Sequence, residues 1–422
     1  MPAGVATGAA DRRSCLLAYV LTCIPACILA CILACVLTRG RRTVQSTGRT
    51  VPRSVGILLL VGLTACGAPN TNDSPAASPP SSGSASPTNE SPSEALAIDS
   101  VSFSIRSITL DARDRPPDTT LADIARLGVT DLTLIPFGFQ RSVDEPRIRM
   151  HTDGGWYSES TTGIRDLARR AEVHGMGIIL KPHIWIGRYS ADGQSRDAIG
   201  FDTEAAWTTW EAEYRTFLLY YAELAADIDA RALVIGSELR RAAAERPAFW
   251  RGLAADIRKV YDGKLSYAAN WSDSFDTIAF WDALDYVGVQ AYFPLIDGQG
   301  HRIDTLTVED LVGGWNRHVD MLRRVHEDSG RPVLFTELGY RSAPDAAHAP
   351  WRWPEENADE TPAPDLQARL YRAFFQRFAT VPWLAGAIVW KWHPEAESRR
   401  PTGFTPQGKP AETVLRHGFG GA

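Results

Sequence analysis

The sequence predicts an α/β protein whose body is a single (β/α)8 TIM barrel, and three features point there. From about Ala97 to the C-terminus, short β-branched runs alternate with longer amphipathic segments, the pattern of parallel strands joined by crossover helices. Eight such runs occur: Val101–Ile108, Asp131–Phe137, Gly177–Trp185, Ala232–Glu238, Leu265–Trp271, Tyr286–Tyr292, Val333–Glu337 and Ala387–Trp392. No smaller repeat and no second linker interrupts them, and the first run is not followed by the glycine-rich phosphate turn expected of a doubly wound open sheet.

The connecting segments carry helical periodicity. From Thr203 onward, Trp207, Trp210, Tyr214, Phe217, Tyr221 and Leu224 recur at steps of three and four, one apolar stripe, so these tryptophans are expected in the core. From Asp365, Leu366, Leu370, Phe374 and Phe378 repeat the theme.

Composition narrows the function classes. The 422 residues are 44% hydrophobic and 22% charged, too apolar for general disorder. A formal net charge of -6, with no long Lys/Arg stripe in the body, argues against nucleic acid as a partner. The six cysteines, Cys15, Cys23, Cys27, Cys31, Cys35 and Cys66, all precede the body, which therefore uses neither disulfides nor thiolate chemistry.

The N-terminal region divides in two. Residues 1–66 read as a leader: Val51–Cys66, VPRSVGILLLVGLTAC, is a short apolar run behind scattered arginines and resembles a bacterial lipoprotein signal with its lipobox. That resemblance implies a lipidated Cys66 as the mature N-terminus, a membrane partner held through the lipid, and work outside the cytoplasm, either anchored or secreted. A second apolar stretch, Cys15–Leu37, repeats cysteines every four residues without accompanying histidine or carboxylate, and is expected to precede the true start near Val44 or Val51. Residues 67–95 turn to Ser, Pro, Ala, Asn and Thr, which cannot offset their ordering entropy by burial and read as a tether. The barrel domain is then 96–422, expected as a monomer.

In such barrels the site forms at the carboxyl ends of the strands. The fourth run ends Val234-Ile235-Gly236-Ser237-Glu238 and the seventh Val333-Leu334-Phe335-Thr336-Glu337. A carboxylate closing a buried strand is costly without a partner or a function, and two of them on runs four and seven point to a catalytic pair.

The hexamers IGSELR (Ile235–Arg240), QAYFPL (Gln290–Leu295) and FTELGY (Phe335–Tyr340) resemble the signatures of glycoside hydrolase family 113, in order and in position on the strands. The resemblance covers most of the chain after the tether. It implies a retaining β-glycosidase of the β-1,4-mannanase type, with carbohydrate as the substrate, Glu238 as general acid/base and Glu337 as nucleophile. Retaining hydrolysis needs two carboxyl groups about 5 to 5.5 Å apart, one protonated and one ionised. The wider clan implies that Tyr292 hydrogen-bonds the nucleophile, with a core aromatic as the competing reading, and that Trp390, with Trp392 second, stacks on a sugar. Relatives carry asparagine before the acid/base where this chain has Ser237, which bears on the contact to the sugar 2-hydroxyl.

Further candidates follow from strand alternation. Gln290 shares a face with Tyr292, and Lys181, His183 and Trp185 share another, placed either to contact sugar hydroxyls or at a solvated loop mouth. Asn270, Arg106 and Arg341 are candidates for which a structural role is the competing reading. The loop Ala343–Pro364 is expected to wall the cleft. No cofactor and no metal is required. The rival chemistries are a Schiff-base aldolase using Lys181, which leaves the glutamate pair unexplained, and a metal hydrolase, for which the first run lacks a His-x-His pair. A transglycosylase, or a glycan-binding barrel without turnover, is the alternative within carbohydrate chemistry, since all 13 tryptophans lie in the body.

Overall fold

The computed structural model describes residues 102–187, 195–272, 275–298, 303–353 and 361–421. The chain divides at Pro87 into two units, and all described residues belong to the second, Thr88–Ala422. The leader 1–66 with Cys66, and the tether 67–95, lie outside the described residues. Among those described, no helix is long and apolar enough to cross a membrane.

In chain order the strands are β1 (Ile105–Leu110), β2 (Asp131–Leu134), β3 (Phe137–Gln140), β4 (Ile148–Met150), β5 (Gly177–Leu180), β6 (His183–Ile186), β7 (Ala232–Ser237), β8 (Lys264–Asn270), β9 (Tyr286–Gln290), β10 (Val333–Leu338) and β11 (Leu384–Trp392). Eight of them, β1-β11-β10-β9-β8-β7-β5-β2, close into a parallel barrel, the predicted (β/α)8 architecture. The helices are α1 (Asp118–Ala125), α2 (Thr161–Val173), α3 (Glu204–Asp227), α4 (Arg240–Glu245), α5 (Pro247–Ile257), α6 (Val308–Ser329), α7 (Pro364–Phe378) and α8 (Pro410–Phe419).

Local chemistry sets the helix ends. Thr203 caps α3 by accepting from the Ala206 amide, and Thr307 with Asp310 forms a reciprocal capping box on α6, which stops at Gly330 in the left-handed region. The apolar stripe of α3 is buried as its spacing predicts, with Trp210 fully enclosed between Tyr214 and Phe249. Trp250 and Trp315 fill the same layer between helices and strands. A separate cluster that includes Ile105, Ile179, Val234, Leu334 and Ile388 fills the barrel interior.

Two predicted runs are each broken in two. Asp131–Phe137 ends as β2 at Leu134, and Gly177–Trp185 ends as β5 at Leu180. Pro136 and Pro182 sit at the two breaks, and a proline has no amide to continue a ladder. Beyond them β3 and β6 pair with each other in parallel, and β4 adds antiparallel to β3, giving a second sheet of order β4-β3-β6. Its residues reappear below in the lining of the cleft.

One glycine is dictated by close approach. At Gly386, with φ 144°, an added Cβ would lie 1.7 Å from the Ile105 carbonyl oxygen across the β1–β11 seam. Neither backbone can yield without opening the barrel. Gly386→Ala is expected to cost at least about 2 kcal/mol of stability, read from the denaturant midpoint; an unchanged midpoint would show that the seam tolerates the methyl.

Candidate active site

Both carboxylate-bearing strands depart from simple alternation just before the carboxylate. Pairing between β7 and β8 slips between Val234 and Ser237, and pairing between β10 and β9 slips between Phe335 and Glu337. An extra residue in a strand re-aims the side chain that follows it. Glu337 thereby comes into register with Gln290. Glu238 follows β7 with φ 55°, a left-handed conformation uncommon outside glycine, its amide donating to the Ala268 carbonyl.

Lys181 stands at the centre. It lies between β5 and β6, fully buried, and its Nζ donates to Glu337 Oε1 at 2.5 Å, Gln290 Oε1 at 2.8 Å and the Thr336 carbonyl at 3.1 Å. Three acceptors meet the three donors of an ammonium. Gln290, also fully buried, turns its Nε2 to Glu238 Oε1 at 2.9 Å, so one amide links the two carboxylates. The Tyr292 hydroxyl donates to Glu337 Oε2 at 2.6 Å. Burial, then the Glu337 charge, pushes the Tyr292 phenol far above its usual range and keeps it a donor. Burial likewise pulls Lys181 below the ordinary lysine value, with Glu337 opposing.

Arg196 is the residue that sequence reasoning missed. It opens a short turn of helix at Arg196–Ala198, and its Nη2 lies 2.6 Å from Glu238 Oε2. Asp197 bonds to Arg240 at 3.1 Å and ties this turn to the start of α4. Burial alone would raise the Glu238 carboxyl, but Arg196, Gln290 and Lys181 together hold it below the ordinary carboxylate range. A polar loop offers no periodicity by which such a residue could be found. Trp271, just past the end of β8, and Phe404, beyond β11, were missed as well, whereas Trp351 and Trp353 belong to the loop expected to wall the cleft.

These groups surround a cleft of about 400 Å³ that includes Glu238, Glu337, Asn270, Tyr292, Trp351 and Trp390 in its lining. A second cavity of about 650 Å³ adjoins it, sharing Arg196, Trp353 and Trp390, and takes in His183 and Trp185. His183 is buried and is held well below its ordinary value by burial, with Arg196, Lys181 and Lys391 adding, so it is neutral. Trp185 is 54% exposed, its ring edge-on to Phe137. Ser237 is buried, its Oγ without a partner.

Several expectations change. Trp392 is not at the mouth: the pairing of β11 with β1 slips between Ile108 and Leu110, so Trp392 turns into the layer between barrel and helices. Lys181 and Gln290 lie beneath the carboxylates rather than on the cleft wall, since burial among charged partners leaves them no exposed surface. An ammonium so enclosed also lacks the room a Schiff-base lysine needs for a carbonyl substrate. Arg106 donates to the Gly128 and Phe103 carbonyls near the amino end of β1, and Arg341 is buried against Asp345, both structural placements. Of the loop Ala343–Pro364, Trp351 and Trp353 line the cleft, and residues 354–360 lie outside the described residues. Among the described residues, no group of three His, Cys, Asp or Glu side chains is arranged to hold a metal ion.

The sign of the pH effect at Glu238 follows from its depressed value. The stabilisation from its ionised form is present above the ordinary carboxylate range and is lost as pH falls through the folded value. Arg196→Gln is expected to raise the Glu238 pKa, measured by carboxyl-carbon NMR titration, and to make stability fall less steeply with acid. An unmoved titration would mean that Arg196 does not govern this carboxyl.

The family model described as Glycoside Hydrolase Family 113 matches residues 101–409. Among solved structures, the GH113 β-mannanase AaManA from Alicyclobacillus acidocaldarius, in complex with ManMIm, is 25% identical, with a TM-score of 0.63 over 75% of this chain and 97% of that one. A GH113 β-1,4-mannanase solved as a complex is 23% identical, with a TM-score of 0.61 over 75% of this chain and 98% of the other. No curated protein matches the sequence.

Proposed function

The chain belongs to glycoside hydrolase family 113 and is a glycoside hydrolase, and from that premise we propose that it cleaves β-1,4-mannan chains by double displacement, with Glu337 as nucleophile and Glu238 as acid/base. The observation that carries this reading is the shared cleft: both carboxylates line it, linked beneath by Gln290 and Lys181. The mannan preference is supported by the β-mannanase from Alicyclobacillus acidocaldarius, 25% identical over nearly its whole length.

In the first step Glu337 Oε attacks the anomeric carbon while the bond to the leaving oxygen breaks and Glu238 delivers its proton to that oxygen. The product is a glycosyl ester on Glu337. Lys181 and Tyr292 hold Glu337 in one orientation by bonds to its two oxygens, so little reorganisation accompanies attack. In the second step Glu238 removes a proton from water, whose oxygen attacks the same carbon and releases Glu337. Glu238 must therefore begin protonated, yet Arg196 favours its ionised form. A glycosidic oxygen that displaces Arg196 from Oε2 leaves burial as the dominant influence, and burial raises the carboxyl. Trp390, buried at the junction of the two cavities, offers its ring to a sugar face.

Glu337→Gln is expected to lower kcat on mannooligosaccharides by at least about a thousandfold while the circular dichroism spectrum is retained. Proton NMR of the first product is expected to show the β anomer; an initial α anomer, or near-normal turnover in the variant, sinks the assignment.

We also infer that the enzyme works outside the cytoplasm on a lipid anchor at Cys66. The reading is supported by the apolar run Val51–Cys66 followed by a polar segment suited to a tether. Mass spectrometry of the membrane fraction is expected to find a diacylated N-terminal Cys66; an unmodified Cys66 inside a longer chain rules the anchor out.

A further inference from the structure

The larger cavity holds more polar capacity than the protein itself uses. Thr109 Oγ1, His183 Nε2 and Trp390 Nε1 are buried along its lining without a hydrogen-bond partner, and so is Arg196 Nε at its border. Buried polar groups of this kind are few in native proteins, and several around one cavity call for a polar ligand. The walls are aromatic: Phe137, Trp156, Trp185 and Trp353 join Trp390. Aromatic faces with hydroxyl-binding groups between them suit a pyranose ring.

One side chain in this cavity has no role in the reaction described above. Glu159 lies in the loop between β4 and α2, immediately before the α2 cap Ser160, and lines the cavity. The loop is held rigidly there. Ser158 accepts from the Ala112 amide and donates to the Ala112 carbonyl through its Oγ, while the Tyr157 amide donates to the Arg113 carbonyl. Among the described residues, Glu159 has no ion-pair partner. Its charged surroundings are Asp111 before α1 and Lys391 on β11, and Lys391 is itself paired with Asp111.

We propose that Glu159 is a specificity-determining residue: it accepts hydrogen bonds from the hydroxyls of the sugar unit adjoining the one attacked, on the side that stays with the enzyme. The polarity follows from the site. Glu238 must face the departing oxygen and shares a further pocket with Asn270, whereas the Glu159 cavity includes neither catalytic carboxylate and meets the cleft at Arg196, Trp353 and Trp390. A carboxylate with unfilled acceptor capacity discriminates by hydrogen bonding, because a unit lacking the matching hydroxyl leaves it desolvated and unpaired. Burial, with Asp111 adding and Lys391 and the Trp156 amide opposing, raises this carboxyl to about 7, as expected of a group poorly solvated until a donor arrives.

This inference rests on the mannan reading, so the test separates the two. The full protein and its Glu159→Gln and Glu159→Ala variants are assayed on 4-nitrophenyl β-mannoside, with one sugar, and 4-nitrophenyl β-mannobioside, with two. The matching β-glucoside and β-galactoside pairs run alongside, and mannobiose and cellobiose binding is followed by calorimetry. Glu159→Ala is expected to lower kcat/KM on the bioside about tenfold or more, chiefly through KM, and at least about fivefold more than on the monoside. Glu159→Gln, which keeps the side-chain volume, is expected to fall between. Equal losses on both substrates, or no loss on the bioside, overturn the proposal. Turnover confined to the glucoside or galactoside pair overturns the mannan reading instead, and the same comparison of one sugar with two then decides Glu159 on that pair.

Discussion

The arrangement of this site depends on a lysine ammonium sealed inside the barrel. Lys181 is fully buried, and a charge in that position is tolerated only with full hydrogen bonding and an opposite charge. Glu337, Gln290 and the Thr336 carbonyl supply both, and each is drawn to a fixed place by doing so. Gln290 then has its amide nitrogen free for Glu238. One buried cation thus ties together three strand ends, β5, β9 and β10, with the carboxylate that follows β7. Breaking such a pair leaves an uncompensated charge, so the same interaction that orients the nucleophile also stabilises the barrel mouth against distortion.

The strand ends supply what regular geometry would not. Strict alternation sends every second side chain into the barrel, and Glu337 would have followed Phe335 outward. The bulge in β10 reverses that, and beyond the bulge in β7 a left-handed backbone sets the direction of Glu238. Local departures of this kind carry a conformational cost and persist where the surroundings over-determine them, as the linked hydrogen bonds do here. A barrel packed inside by Ile105, Val234 and Leu334 provides the rigid frame against which such departures hold.

Electrostatics divides the two glutamates. Glu337 is held between a cation on one oxygen and, on the other, a phenol that stays protonated. Glu238 is partly solvated, and Arg196 sits on its outer oxygen. Its protonation is therefore coupled to what occupies the cleft. The two cavities meet at Trp390, Trp353 and Arg196, so a chain that fills both must pass the residue that sets the charge on Glu238.

Periodicity and punctuation along the chain were enough for the barrel, because β-branched runs and 3.6-residue stripes are local consequences of burying one face of each element. They also marked the two glutamates, since polar residues closing apolar runs stand out in one dimension. Pro136 and Pro182 could have signalled the second sheet, where a single extended run had been read instead. Trp392 was misplaced for a different reason: a bulge depends on the neighbouring strand and leaves no trace in the residues that carry it. Arg196 and Glu159 lie in loops whose positions are set by contacts to distant segments, Arg240 for one and Ala112 for the other. Lys181 was visible as a candidate, but its partners are 109 and 156 residues away in sequence. Which charges neutralise one another is a question of spatial proximity, and chain order does not encode it.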